Sequence, residues 1–252
     1  MKILIRSLIL LLTVSLLFST NVLAKNENAK KSYVSIGDSI PYGYNLGNNG
    51  NNSTSKQAFP YLIGNDADFR VRNLAVPGWE TVEMLNALKT DQKYRQALKQ
   101  ADYITLNIGN NDLLKVLIAA SEASGGDPQL LQFYLNQILS ESNVFANLGA
   151  VMVEIRSLTT APIVVYNVYN PFQVNDPRFL HQISNQFLPA INFQLSNLVF
   201  GLGDPTIRIA DAYGAFGTNQ AEYVIVGDIH PTVAGQRELA NLGLETFGLT
   251  NN

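Results

Sequence analysis

The stretch "YVSIGDSIPYG", Tyr33–Gly43, runs four residues of strand character into Gly37-Asp38-Ser39, then into Pro41 and a second glycine. A strand that stops at such a turn makes Ser39 either the N-cap of a following helix or a nucleophile held at a strand end. The stretch alone admits both readings, so the rest of the chain has to separate them.

Four more segments share that strand character: "FRVRNL" (69–74), "YITLNI" (103–108), "PIVVYNV" (162–168) and "IRIA" (207–210). Several are short, β-branched and almost continuously apolar, the pattern of strands covered on both faces. Helical stretches alternate with them over 81–100, 127–158 and 177–200, and again after Pro231. Residues 127–158 read as one long helix or two packed ones, begun by Asp127 as N-cap with Pro128 in the first turn. Pro189 is expected to disturb the helix it falls in. Strand and helix in alternation predict a five-stranded parallel sheet with right-handed crossovers, inside a three-layer α/β/α sandwich. Loops at the carboxyl ends of the strands then form the ligand edge.

The first 24 residues stand apart from this pattern. Lys2 and Arg6 precede an apolar run, Leu8–Phe18, and Val22 and Ala24 supply small residues before a cleavage point. This reads as a Sec-type bacterial signal peptide, so the expected product is a secreted single domain over 25–252 with no stable membrane anchor after cleavage. The absence of cysteine rules out a disulfide framework and cysteine chemistry. With a net charge of −3 and no basic cluster beyond Lys25, Lys30 and Lys31, nucleic acid is not an expected partner. The two histidines, His181 and His230, lie far apart without Cys partners, so neither a metal nor a cofactor is expected.

Serine hydrolysis needs a base, and only two imidazoles are available. His181 sits within a helical pattern. His230 lies in the loop "VGDIHPTVAG", flanked by Asp228 and Pro231, which suits a base better. Ser39 lies at the carboxyl edge near a helix N-terminus, where backbone N–H groups favour negative charge. "NLAVPGWET" places Gly78 in the next strand-end loop, where a bare backbone N–H could approach a ligand. "NIGNNDLL" places Asn111 after the third strand, where its carboxamide could donate to an oxyanion. Each alone is explained as well by a turn or a helix cap.

Together, "GDSIPYG", "NLAVPG", "GNND" and "DIHPT" resemble the four blocks of the GDSL or SGNH serine esterases and lipases, in the family order, over residues 33 to about 240. The resemblance implies a flavodoxin-like fold and ester hydrolysis through an acyl-enzyme. It makes Ser39 the nucleophile and His230 its base. The oxyanion would be held by the Ser39 N–H, the Gly78 N–H and the Asn111 side chain. Relatives include lipases, lysophospholipases and carbohydrate deacetylases, so an ester or lipid substrate and a monomeric enzyme are expected. A non-catalytic acyl- or carbohydrate-binding domain of the same fold is the alternative.

Two positions depart from the family pattern. Pro41 replaces the usual Ser or Thr two residues after the nucleophile. Gly227 stands where the family has its acid, three residues before the histidine, while Asp228 stands two before. Asp228 is therefore either the triad acid or the anchor of an Asx-turn, with a main-chain carbonyl orienting His230 instead. Asp38 is expected to brace its loop. The Asn- and Gly-rich segment 45–56 reads as a surface loop that is solvated or borders the site. Tyr42, Tyr44, Trp79, Leu113 and Phe172 are candidates for an acyl pocket, and packing explains them equally well.

Overall fold

Five parallel strands carry the structure: β1 (Ser32–Gly37), β2 (Arg70–Asn73), β3 (Tyr103–Asn107), β4 (Ile163–Tyr166) and β5 (Ile207–Ala210). The computed structural model describes residues 29–47 and 50–250. Residues 1–24, expected to be a signal peptide, lie outside them. The sheet order is β2-β1-β3-β4-β5, every pairing parallel. The chain passes from β1 to β2 on one side and returns to β3 on the other. The crevice above β1 and β3 is thus the topological switch point, the place where such sheets bind ligands.

Side-chain alternation along β1 explains the layers. Val34 and Ile36 point into one apolar cluster with Met84, Leu88, Ile104, Leu106 and Ile155. Tyr33 points to the other face, against Phe59, Val164, Tyr166 and Leu239. Ser35 shares that second face, and its burial is offset by a hydroxyl chain: Thr105 Oγ1 donates to Ser35 Oγ at 2.9 Å, and Tyr33 Oη lies 2.8 Å from Thr105 Oγ1. Each of the large aliphatic side chains sealed in these layers contributes about 1.5–3 kcal/mol.

Eleven helices occupy the described residues: α1 (Ser39–Tyr42), α2 (Phe59–Asp66), α3 (Thr81–Thr90), α4 (Gln92–Lys99), α5 (Asn110–Ser124), α6 (Pro128–Glu141), α7 (Val144–Leu158), α8 (Leu180–Gly201), α9 (Ala212–Phe216), α10 (Gln220–Tyr223) and α11 (Val233–Phe247). The helical stretch 81–100 is two helices because Asp91 ends α3 and caps α4, accepting from the Lys93 N–H at 2.7 Å. Residues 127–158 likewise form two helices, α6 and α7. Asp127 caps α6 as its composition predicts. α8 runs through Pro189 without a break, contrary to the expected disturbance. That proline is exposed, so water can take the hydrogen bond its missing N–H leaves unmade.

Candidate active site

Ser39 stands where β1 ends, and two other strand-end loops and helix α11 are tied to its segment. Asp38 caps α1, its Oδ1 accepting from the Ile40 N–H at 3.0 Å, and its own N–H donates to the Asn107 carbonyl at 3.1 Å. Its Oδ2 accepts from Asn110 Nδ2 at 2.9 Å, so the carboxylate bridges the β1 and β3 loops. Complete burial raises the Asp38 pKa from 3.8 to about 6, against the lowering effect of those hydrogen bonds. The β2 loop is held by Val76 N–H on the Gly37 carbonyl (3.0 Å) and by Asn73 Nδ2 on the Pro41 carbonyl (2.6 Å). From α11, Gln236 donates to the Ile40 carbonyl at 2.9 Å.

His230 reaches the serine from the far end of the sheet. Its Nε2 lies 2.9 Å from Ser39 Oγ across 191 residues of chain, and its Nδ1 lies 2.7 Å from Asp228 Oδ1. The Val224–Pro231 antiparallel bridge closes the loop that carries it, and Tyr169 Oη donates to the Ile229 carbonyl at 2.7 Å. Within the loop, Asp228 N–H donates to the Ile225 carbonyl, with Gly227 at φ +78° between them. This turn needs a residue at positive φ, which glycine supplies without strain. Gly227 is thus a turn residue, and the carboxylate that meets the imidazole is the next one, Asp228.

A second clasp, absent from the sequence reading, holds Asp228. Asn45 Nδ2 donates to Asp228 Oδ2 at 2.5 Å, and the Ile229 N–H donates to Oδ1 at 2.6 Å. Burial pushes the Asp228 carboxyl up. The Asn45 bond, the His230 charge and the Ile229 N–H outweigh it and hold the group below the usual carboxylate range. Asn45 belongs to the Asn-rich segment, which therefore borders the site. Its only signal in sequence is an Asn that tolerates positive φ, and such residues are common in loops. Tyr44 tilts against the His230 ring at 5.0 Å between centroids.

Gly78 and Asn111 flank the same crevice. Gly78 adopts φ +81° and faces open space, with nothing within 4 Å of where a Cβ would stand. Among the described residues no acceptor takes the N–H of Gly78 or of Ser39. Asn111 Nδ2 donates to the Trp79 carbonyl at 2.8 Å, which fixes the amide through one of its two N–H bonds and leaves the other to offer. Asp112 joins the two loops, accepting from Thr81 N–H at 2.9 Å and from Thr81 Oγ1 at 2.6 Å. Burial raises the pKa of its carboxyl.

The other predicted residues are distributed differently. His181 is buried in α8, its Nδ1 2.8 Å from the Phe172 carbonyl and its Nε2 2.9 Å from Asn185. Of the acyl-pocket candidates, Leu113 and Phe172 line a cavity of about 100 Å³ beside Ile40 and Ile229. Tyr42 instead bonds the Asn51 carbonyl, and Trp79 stacks on Tyr94 at 5.6 Å.

Residues 35–238 match the GDSL-like lipase/acylhydrolase family. The spore germination lipase LipC of Bacillus licheniformis is 24% identical over 215 residues, covering 82% of this chain and 92% of that protein. Among solved structures, a lipase from goat rumen metagenome, Lip_vut3, superposes with a TM-score of 0.68 at 22% identity, covering 88% of this chain and 99% of that one. Phospholipase A1 from Streptomyces albidoflavus gives 0.67 at 19% identity, over 86% and 100%. At these identities the structural likeness establishes the α/β/α fold.

Proposed function

We propose a serine acyl-enzyme mechanism from one premise: this chain belongs to the GDSL-like lipase/acylhydrolase family of ester hydrolases. The reading rests on the continuous chain from Asp228 through His230 to Ser39, with links of 2.7 and 2.9 Å. These are the distances at which a base takes a hydroxyl proton and a carboxylate orients that base.

His230 Nε2 takes the Ser39 proton as Oγ attacks the ester carbonyl carbon. Asp228 accepts from Nδ1–H, fixing the tautomer and stabilising the imidazolium that forms. The negative charge on the carbonyl oxygen is met by the N–H groups of Ser39 and Gly78 and the second N–H of Asn111. Collapse breaks the ester C–O bond, and the imidazolium gives its proton to the departing alcohol. Water, deprotonated by His230, then attacks the acyl-enzyme. The second tetrahedral intermediate releases the acid and returns the proton to Ser39 Oγ. The basic, apolar and small-residue segments within residues 1–24 support export of this enzyme.

The test pairs p-nitrophenyl butyrate turnover with labelling by a fluorophosphonate probe. Wild-type protein is expected to do both, and Ser39→Ala neither. Purified, folded protein that hydrolyses no ester and takes no label on Ser39 would return the domain to the binding-only reading.

A further inference from the structure

The apolar cavity lined by Ile40 and Ile229 adjoins a larger one. Five side chains, Leu114, Leu117, Phe172, Ile183 and Phe187, wall both it and a second cavity of about 720 Å³. The second cavity lies between the α5–α6 hairpin and the first turns of α8. The inner cavity begins at Ile40, Asn110 and Ile229, each next in sequence to a residue of the proposed machinery. Of its polar groups, Asn110 donates to Asp38 and Asn107 and Tyr169 donates to the Ile229 carbonyl, which leaves the Ser184 hydroxyl. A single hydroxyl in an otherwise apolar wall suits an acyl chain better than a polyhydroxylated sugar. Phe179 lines the outer cavity at φ +60°, a conformation bulky residues rarely adopt, with a ring that is 66% exposed.

We propose that the two cavities are one acyl channel, and that the substrates are esters of a single fatty acyl chain too long for the inner cavity, rather than acetylated sugars. The occupant follows from the lining: Ile40, Asn110 and Ile229 are chain neighbours of Ser39, Asn111 and His230, and most of the wall beyond them is apolar. The proposal rests on the esterase reading above.

Each methylene that enters apolar protein should raise kcat/KM about fourfold. The p-nitrophenyl esters of acetate, butyrate, octanoate and laurate, assayed as monomers, read this directly. A rise through laurate is expected. Ser121→Trp and Gln186→Trp, which alter the outer cavity alone, should each cost laurate at least about tenfold while leaving butyrate within about threefold. Turnover that peaks at acetate or butyrate overturns the channel and leaves the esterase standing. Equal losses on laurate and butyrate in either folded variant also overturn it. Absence of all turnover and of fluorophosphonate labelling removes the esterase reading, and the channel with it.

An independent observation concerns Asn45. Asn45 and Asn51, both at positive φ, exchange hydrogen bonds: Asn45 N–H to Asn51 Oδ1 (2.8 Å) and Asn51 Nδ2 to Asn45 Oδ1 (2.9 Å). Tyr42 Oη anchors the Asn51 carbonyl at 2.8 Å. The clasp aims Asn45 Nδ2 at Asp228 Oδ2, the oxygen that does not face His230. The geometry points to Asn45 as a positioning residue that holds Asp228 in place of a family acid one residue earlier. This too rests on the acid role of Asp228.

Asn45→Gly keeps the positive-φ backbone and removes the carboxamide, so kcat should fall about tenfold with KM unchanged. Asn45→Asp keeps the shape but sets a second carboxylate against Asp228. Its activity relative to wild type should therefore decline as pH rises from about 5 to 8, a trend that loop damage alone would not produce. The titratable groups facing Asp228 are His230 and the Tyr169 phenol, and burial raises the latter well above this range. Wild-type kcat in Asn45→Gly, or a pH-independent deficit in Asn45→Asp, overturns the assignment. An active Asp228→Asn enzyme would instead locate the failure in the acid role itself.

Discussion

Asn110 Nδ2 donates to Asp38 Oδ2 at 2.9 Å, fastening the loop that follows β3 to the loop that carries Ser39. The carboxylate is sealed from solvent, and burial lifts its pKa to about 6. Below about pH 4 both folded and unfolded chains hold this proton. Between about pH 4 and 6 the folded chain keeps a proton the unfolded chain releases, so stability falls by about 3 kcal/mol across that window. Above it both are ionised and the cost is constant. Urea midpoints at pH 4, 5, 6 and 7 should show this decline in wild type and lose that component in Asp38→Asn. Parallel curves would mean that Asp38 is ionised throughout.

Asp228→Asn replaces the acceptor of the His230 Nδ1 hydrogen bond with a neutral amide of the same shape. The imidazole loses the charge that stabilises its protonated form, so kcat should drop by about 10³–10⁴ with little change in thermal stability. Steady-state kinetics on p-nitrophenyl butyrate decide it, and near-full activity would remove Asp228 from the triad. Because hydrogen bonds and the His230 charge hold this carboxyl below its usual range, Asp228 stays ionised at pH 5 and above.

Asn111→Ala removes the carboxamide anchored on the Trp79 carbonyl. The expected loss is about 10²–10³ in kcat at near-constant KM, as for a donor used in the transition state. A rise in KM alone would assign Asn111 to ground-state binding.

Gly37→Ala tests the strand end beneath the nucleophile. An added Cβ would lie 2.0 Å from the Asn107 carbonyl oxygen and 2.7 Å from Pro41 Cγ, so the β1 and β3 ends must part. A loss of about 3 kcal/mol or more is expected from chemical denaturation, since rigid backbone rather than a flexible side chain stands in the way.

Much of this was legible along the chain. Near-continuous apolar runs mark the central strands β1, β3 and β4, which are buried on both faces, while the edge strands β2 and β5 intersperse exposed arginine with apolar residues. Strand-end placement likewise points to Ser39, Gly78 and Asn111, and His230 stands out as the loop histidine between Asp228 and Pro231. Helix breaks at Asp91 and Asn143 were harder to read, since apolar periodicity continues across them and only the local cap or turn decides.

The sequence by itself determined the order of strands and helices and the residues presented at the strand ends, because these follow from local periodicity and turn chemistry. Only the tertiary structure decided which carboxylate meets His230. That choice depends on the turn at Gly227 and on Asn45, a residue 183 positions away that parallel pairing and loop closure bring within 2.5 Å. The apolar cavities are decided in the same way. α5, α6 and α8 each contribute walls, and a void between packed elements has no signature in any one of them.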